Sequence, residues 1–238
     1  MKLLEGERAL VTGAARGIGR AIAAALVEEG ARVVGADLQA SDIACDLSSA
    51  EGARRLAAQA IEALGTVSIL VHCASLSRKE SETVLDVELE QWREMLAVNL
   101  DAAFILSQTL ARHMMREQVK GKILLITSLH AETPRNLPHY SAAKAGETML
   151  VKELARALGP HGIRVNAIVP GAIAGGGFAA PPSLVEKIAL RRIGKPEDVA
   201  PMAVAVLSER FGGYVTGASL VVDGGLALHN WIEPPRYG

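Results

Sequence analysis

The sequence predicts an α/β protein: one doubly wound parallel sheet between two helical layers, α/β/α, in a single domain over residues 1–238. Three observations predict it. Short apolar runs alternate with helix-forming segments along the whole chain, with no repeat or linker to divide it. Half of the residues are hydrophobic but only 3% are aromatic, a composition in which Ala, Val and Leu dominate. Such residues suit helices packed on both faces of a parallel sheet. Finally, the first apolar run passes straight into a glycine-rich turn that opens a helix.

The elements follow in order. Residues 8–12, Arg-Ala-Leu-Val-Thr, read as a short buried strand. Residues 20–29 are strong helix formers closed by Gly30. A second strand, 31–36, leads to Asp37; the segment 38–45 is too short for a crossover helix, so a tight connection to a third strand at 43–45 is expected. An amphipathic helix spans 49–64 and stops at Gly65. A fourth strand is expected at 67–72, two helices near 89–98 and 102–118, and a strand at 122–127 that Ser128 closes. The helix carrying Tyr140 and Lys144 should run to about 158, before Gly159-Pro160. A strand at 163–169, a helix at 197–208 and a last strand at 218–222 complete the sheet, leaving 226–238 as a C-terminal tail.

Charge excludes several partners. Lys plus Arg number 25 against 26 Asp plus Glu, so no net field selects nucleic acid or a membrane surface. No segment approaches the ~18 unbroken apolar residues of a membrane span, and charges stand where a signal peptide needs an apolar stretch. A cytoplasmic protein acting on a small molecule is the expectation. Cys45 and Cys73 have no partnering pattern and are expected to be buried free thiols. No His, Cys or carboxylate spacing suggests a metal site.

Two constellations carry chemistry. In the first, Gly13, Gly17 and Gly19 lie between a strand and a helix, where backbone can approach a pyrophosphate and free N–H groups face it. Asp37, at the end of the second strand, can accept hydrogen bonds from both hydroxyls of an adenosine ribose and would repel a 2′-phosphate. NAD is therefore favoured over NADP, although Arg16 in the glycine loop could reach such a phosphate. In the second constellation, Tyr140 and Lys144 stand at i and i+4 on one helix face. A cation there favours the phenolate and fits the phenol to exchange a proton with a substrate oxygen. Ser128, at a strand's carboxyl end, is placed to polarise a carbonyl or steady an alkoxide.

The glycine spacing is Gly-xxx-Gly-x-Gly rather than GxGxxG, and here the sequence resembles the short-chain dehydrogenase/reductase family, over nearly the whole chain. The resemblance rests on Thr12-Gly13-xxx-Gly17-Ile18-Gly19, Asp46-Leu47, Val98-Asn99, Ser128, Tyr140-xxx-Lys144, Arg164-Val-Asn-Ala-Ile-Val-Pro170-Gly171, Arg192-Ile-Gly-Lys-Pro-Glu-Asp198 and Val222-Asp-Gly-Gly225. It implies a Rossmann fold and a dehydrogenase acting on CH–OH groups with NAD, NADP being less favoured. Asn99, Ser128, Tyr140 and Lys144 would be catalytic, with Lys144 bonding the nicotinamide ribose and Asn99 holding a water in the proton path. Cofactor contacts are implied for Gly13, Arg16, Gly17, Ile18, Gly19, Asp37, Asp46, Leu47, Cys73, Ala74, Ser75, Tyr140, Lys144, Pro170, Gly171 and Ile173. Family members pair helices such as 102–118 and 140–158 between subunits, which implies a homo-oligomer, tetramer or dimer.

The chain also departs from the family. Its fourth strand ends His72-Cys73-Ala74-Ser75 where Asn-Asn-Ala-Gly is usual, which removes an asparagine that bridges strands. The stretch between Ser128 and Tyr140 is one residue shorter than is common. Ala172-Ile173 follows Pro170-Gly171 where a threonine often bonds the carboxamide, and the lid before Arg192 is short. His130, Asn136 and His139 are candidate substrate residues, in a loop shared with Glu132 and Arg135. That polar mouth suggests a sugar or polyol, resembling such dehydrogenases of the family. His229, Asn230 and Trp231 of the tail could close the pocket. A 3-oxoacyl-thioester (acyl carrier) reductase is the alternative, for which Arg112, His113, Arg116 and Lys120 offer a loose basic patch. A non-catalytic dinucleotide sensor or scaffold is a further one, disfavoured by the intact Asn99, Ser128, Tyr140 and Lys144 set.

Overall fold

The computed structural model describes residues 2–39, 41–76, 83–134, 136–175 and 180–228. Seven strands form one all-parallel sheet in the order β3-β2-β1-β4-β5-β6-β7: β1 (Arg8–Thr12), β2 (Arg32–Asp37), β3 (Ile43–Ala44), β4 (Ile69–His72), β5 (Lys122–Ile126), β6 (Arg164–Pro170) and β7 (Ser219–Val222). The order reverses between β1 and β4, and that switch point opens a crevice at the carboxyl ends of the strands. Register aligns those ends, with Thr12 opposite both Ala36 and His72. The connection from β2 to β3 is the short one expected, and β3 pairs through only two residues.

Strand periodicity divides the core. Leu10, Leu70, Ile123 and Leu125 face one side, where α2 (Ala50–Leu64), α4 (Ala102–Arg116) and α5 (Pro138–Leu158) cover them with Leu56, Leu106, Leu110 and Val151. Their neighbours Ala9, Val11, Ile69, Val71 and Leu124 face the other. There α1 (Gly17–Glu28) and α7 (Pro196–Leu207) contribute Ile22, Leu26, Val199 and Ala203. Of the remaining helices, α3 (Leu89–Leu96) leans on α5, while α6 (Pro182–Lys187) and α8 (Glu209–Gly212) are short.

Local chemistry sets the boundaries. Ser49 caps α2 by accepting the Gly52 N–H at 3.1 Å, and Gly65 ends it at a φ of 77°. By contrast, no side chain caps α1, whose first turn also lacks an acidic residue.

One expected feature is corrected. The two helices near 89–98 and 102–118 are a single helical run, because α3 and α4 join through a π turn, Ala97–Asp101, with no break in helical backbone. The extra residue in that turn places Asn99, fully buried, where α5 packs on it. π turns of this kind are costly and recur at functional positions.

Candidate active site

A cavity of about 900 Å³ opens at the carboxyl edge of the sheet. The glycine loop, the end of β2, the Cys73–Leu76 segment, the end of β5, α5 and the turn after β6 form its walls. All sixteen residues read from the sequence as cofactor contacts line it. Ser128, Tyr140, Lys144 and His130 line it too. Asn99 lies behind this wall in the π turn, where its Nδ2 donates to the Met95 carbonyl at 2.9 Å and its Oδ1 is buried without a hydrogen-bond partner. Neither Asn136 nor His139 is part of the wall: Asn136 is exposed in a left-handed turn and His139 is buried. Arg135, His229, Asn230 and Trp231 lie outside the described residues, but Leu226, where the tail begins, lines the cavity.

The dinucleotide end is built from close approach. A Cβ on Gly19 would sit 2.1 Å from the Gly13 carbonyl oxygen, so only glycine lets α1 start this near the loop. Asp37 ties this end together, accepting from the Ala15 N–H at 3.1 Å and the Leu38 N–H at 2.8 Å. Each of its oxygens keeps a further lone pair for a ribose hydroxyl. Asp46 accepts the Ser48 N–H at 2.8 Å, which holds its carboxyl below the usual range. An uncapped helix start, a crowded glycine turn and an acceptor at the next strand's end fit a nicotinamide dinucleotide.

At the other end α5 presents Tyr140, Lys144 and Glu147 from one face, with the Lys144 ammonium 5.6 Å from the Tyr140 ring centre. Lys144 is 2% exposed, so it is no surface charge. Its Nζ donates to the Ile126 carbonyl at the end of β5 and to both carboxylate oxygens of Glu147, each at 2.9 Å. Burial alone would lower the Lys144 pKa; the Glu147 charge overcomes it and the net shift is upward, with Tyr140 adding to it. Burial pushes the Glu147 carboxyl up to about 7, against the pull of Lys144. Ser128 Oγ accepts the His130 N–H at 3.2 Å, and the His130 ring meets Tyr140 edge-on at 5.3 Å.

Three expectations change. The bridging asparagine is replaced functionally rather than lost. Thr12 Oγ1 accepts from the Cys73 and Ala74 N–H groups at 3.1 and 3.2 Å, so its own proton goes to His72 Nδ1 at 3.0 Å. His72 thus joins β4 to β1 as a neutral ring, its pKa pushed down to about 3 by burial and by the Lys144 charge. Cys73 is half-buried rather than buried; desolvation pushes its thiol up to about 12 and makes it a poor nucleophile. His113 cannot belong to a basic patch, since it is buried and accepts the Val67 N–H.

The sequence reading missed Glu147, although its place at i+3 from Lys144 and i+7 from Tyr140 put it on the same helix face. It also missed the apolar lining from Leu76, Leu137, Leu184 and Leu226, which no motif marks.

Comparison with known proteins decides the family. A family model described as enoyl-(acyl carrier protein) reductase matches residues 13–227. Glucose 1-dehydrogenase 2 of Bacillus subtilis (strain 168) is 35% identical, over 96% of this chain and 97% of that protein. L-rhamnose 1-dehydrogenase (NAD(P)(+)) of Azotobacter vinelandii is 36% identical, over 95% of this chain and 99% of its own length. The solved structure of a short-chain type dehydrogenase/reductase from Mycobacterium marinum superimposes with a TM-score of 0.86 at 33% identity, covering 94% of this chain and 96% of that one. The chain belongs to the short-chain dehydrogenase/reductase family. Its fold is the family's Rossmann sheet, and it is an oxidoreductase of the alcohol-dehydrogenating type whose members use NAD(P). Among the described residues, no helix is long and apolar enough to cross a membrane.

Proposed function

We propose that the chain is an NAD(H)-dependent dehydrogenase that interconverts a secondary alcohol with a ketone or lactone, on a sugar or polyol-like substrate. One observation carries the reaction class: Ser128, Tyr140 and Lys144 share a single cavity with the glycine loop and the open start of α1. A bound nicotinamide would supply the hydride acceptor for the carbinol carbon, or the donor for the carbonyl. Tyr140 takes the hydroxyl proton in oxidation and returns it in reduction. Ser128 holds the substrate oxygen beside Tyr140. Lys144 favours the phenolate by its charge and would bond the nicotinamide ribose, and Asn99, in the π turn behind it, would hold a water in the proton path. Gly13, Arg16, Gly17, Ile18 and Gly19 would hold the pyrophosphate, Asp37 the adenosine ribose, and Asp46 and Leu47 the adenine. Cys73, Ala74 and Ser75 would border the adjoining ribose, with Pro170, Gly171 and Ile173 at the nicotinamide.

The preference for NAD is supported by Asp37 at the end of β2, whose carboxylate would repel a 2′-phosphate. The sugar reading is supported by the names of two relatives and by His130 beside Tyr140; exposed Asn136 is proposed to act at the mouth, whereas buried His139 is given no substrate role. A second reading, an acyl-thioester reductase, is favoured by the description of the family model and by the leucines of the cavity wall. We propose further that 1–238 acts as one domain with 226–238 as its tail, in the cytoplasm, as a homo-oligomer. Exposed Phe104 and Met115 on α4 and Met149 on α5 support the last point.

The test is absorbance at the nicotinamide band with NAD or NADP across D-glucose, L-rhamnose, polyols and a 3-hydroxyacyl thioester. Turnover of a polyhydroxylated substrate with NAD is expected. Tyr140→Phe should lose at least a thousandfold in kcat while NADH binding persists; substantial residual turnover would sink the assignment. Turnover confined to the thioester would establish the second reading.

A further inference from the structure

Lys144 has a partner that the shared motifs do not include. An ammonium has three protons to donate. At Lys144 one goes to the Ile126 carbonyl and at least one more to the Glu147 carboxylate, both at 2.9 Å. At most one remains for the cavity. Glu147 itself is completely buried, and both its oxygens converge on Lys144. Taking a carboxylate out of water is costly, so its charge persists there only beside a cation.

The other groups facing this pair leave Glu147 as the buried counter-charge. From the end of β4 come His72, neutral, and Cys73, a protonated thiol that also feels Asp37. The turn after Ser128 brings His130 against the Tyr140 ring, and the π turn brings Asn99. Helix α3 packs with Met95 and keeps Glu90, Arg93 and Glu94 exposed. On α5 itself His139 is buried, and Tyr140 is the group on which the Lys144 charge acts.

We propose that Glu147 is a positioning residue for the acid–base pair: its carboxylate anchors Lys144 against the end of β5 and keeps the buried ammonium charged beside Tyr140. This rests on the reading of Tyr140 as the proton-exchanging group. The consequence has a definite sign. Without its counter-charge the buried ammonium gives up its proton, so the field that favours the phenolate is lost and Tyr140 ionises at higher pH.

Tyrosinate absorbance near the ultraviolet edge tests this without any substrate. The chain has three tyrosines, Tyr140, Tyr214 and Tyr237, so a Tyr214→Phe/Tyr237→Phe protein reports Tyr140 alone. Adding Glu147→Gln, which keeps the shape but removes the charge, should raise the midpoint, and Glu147→Asp, which keeps the charge at shorter reach, should move it the same way by less. Should the Gln protein fail to fold, the Asp protein carries the test. An unmoved or lowered midpoint in a folded variant overturns the proposal. For a sugar that is turned over, the ascending limb of kcat/KM against pH should move with the midpoint. Turnover that survives Tyr140→Phe would instead remove the reading beneath it, whereas a dead Tyr140→Phe with an unmoved midpoint removes only the role of Glu147.

Discussion

Acidification should unlatch His72, and the structure fixes the sign. Its ring accepts the Thr12 hydroxyl proton and is held neutral, with a pKa of about 3 against an ordinary value of 6.5. The folded-state value is depressed, so the unfolded chain binds this proton first, and stability falls as pH drops below 6.5. At pH 7 nearly all of the stability linked to this residue is present; by pH 5 about 2 kcal/mol of it is gone, and the loss continues toward pH 3. Glu147 acts in the opposite sense. Its pKa is raised to about 7, so between 4.5 and 7 the folded chain holds more protons there and acidification stabilises. The two effects mask each other in the parent protein, which makes His72→Asn the informative perturbation. Urea unfolding of parent and variant at pH 7 and pH 5 should show the difference between them shifting by about 2 kcal/mol in favour of the variant at the lower pH. A difference that does not change with pH would refute the argument, because it would mean that the buried ring titrates no differently from one in solution.

Two further outcomes follow from the cofactor end. Gly19→Ala places a Cβ 2.1 Å from the Gly13 carbonyl, which backbone on both sides cannot relieve cheaply. NADH affinity measured by fluorescence should fall by at least about tenfold and stability by about 1–3 kcal/mol; parent-like affinity and melting would show that the loop yields. Asp37→Ala removes the charge set against a 2′-phosphate together with two backbone ties. The ratio of kcat/KM for NADP over NAD should rise at least about tenfold, and an unaltered ratio would mean that Asp37 does not set the preference.

Much of this was legible in the chain itself. Strand and helix order, the glycine turn, the helix stop at Gly65 and the placing of Ser128 at a strand end depend on near neighbours and on short periods, which sequence records directly. The face shared by Tyr140 and Lys144 is likewise a property of helix geometry, and the same rule reaches Glu147. What sequence could not show were relations made by packing. The joining of 89–98 to 102–118 through a π turn depends on α5 lying against Asn99, because no local signal favours the wider turn over a break. His72 reads as the loss of a bridging asparagine until the β1–β4 register sets it opposite Thr12 and gives its ring the same task. The desolvation that neutralises His72 and buries the Lys144–Glu147 pair comes from elements distant in the chain. Sequence therefore determined which groups exist and which share a face; tertiary structure decided their burial and partners, because charge and hydrogen bonding in a water-poor interior depend on everything that surrounds them.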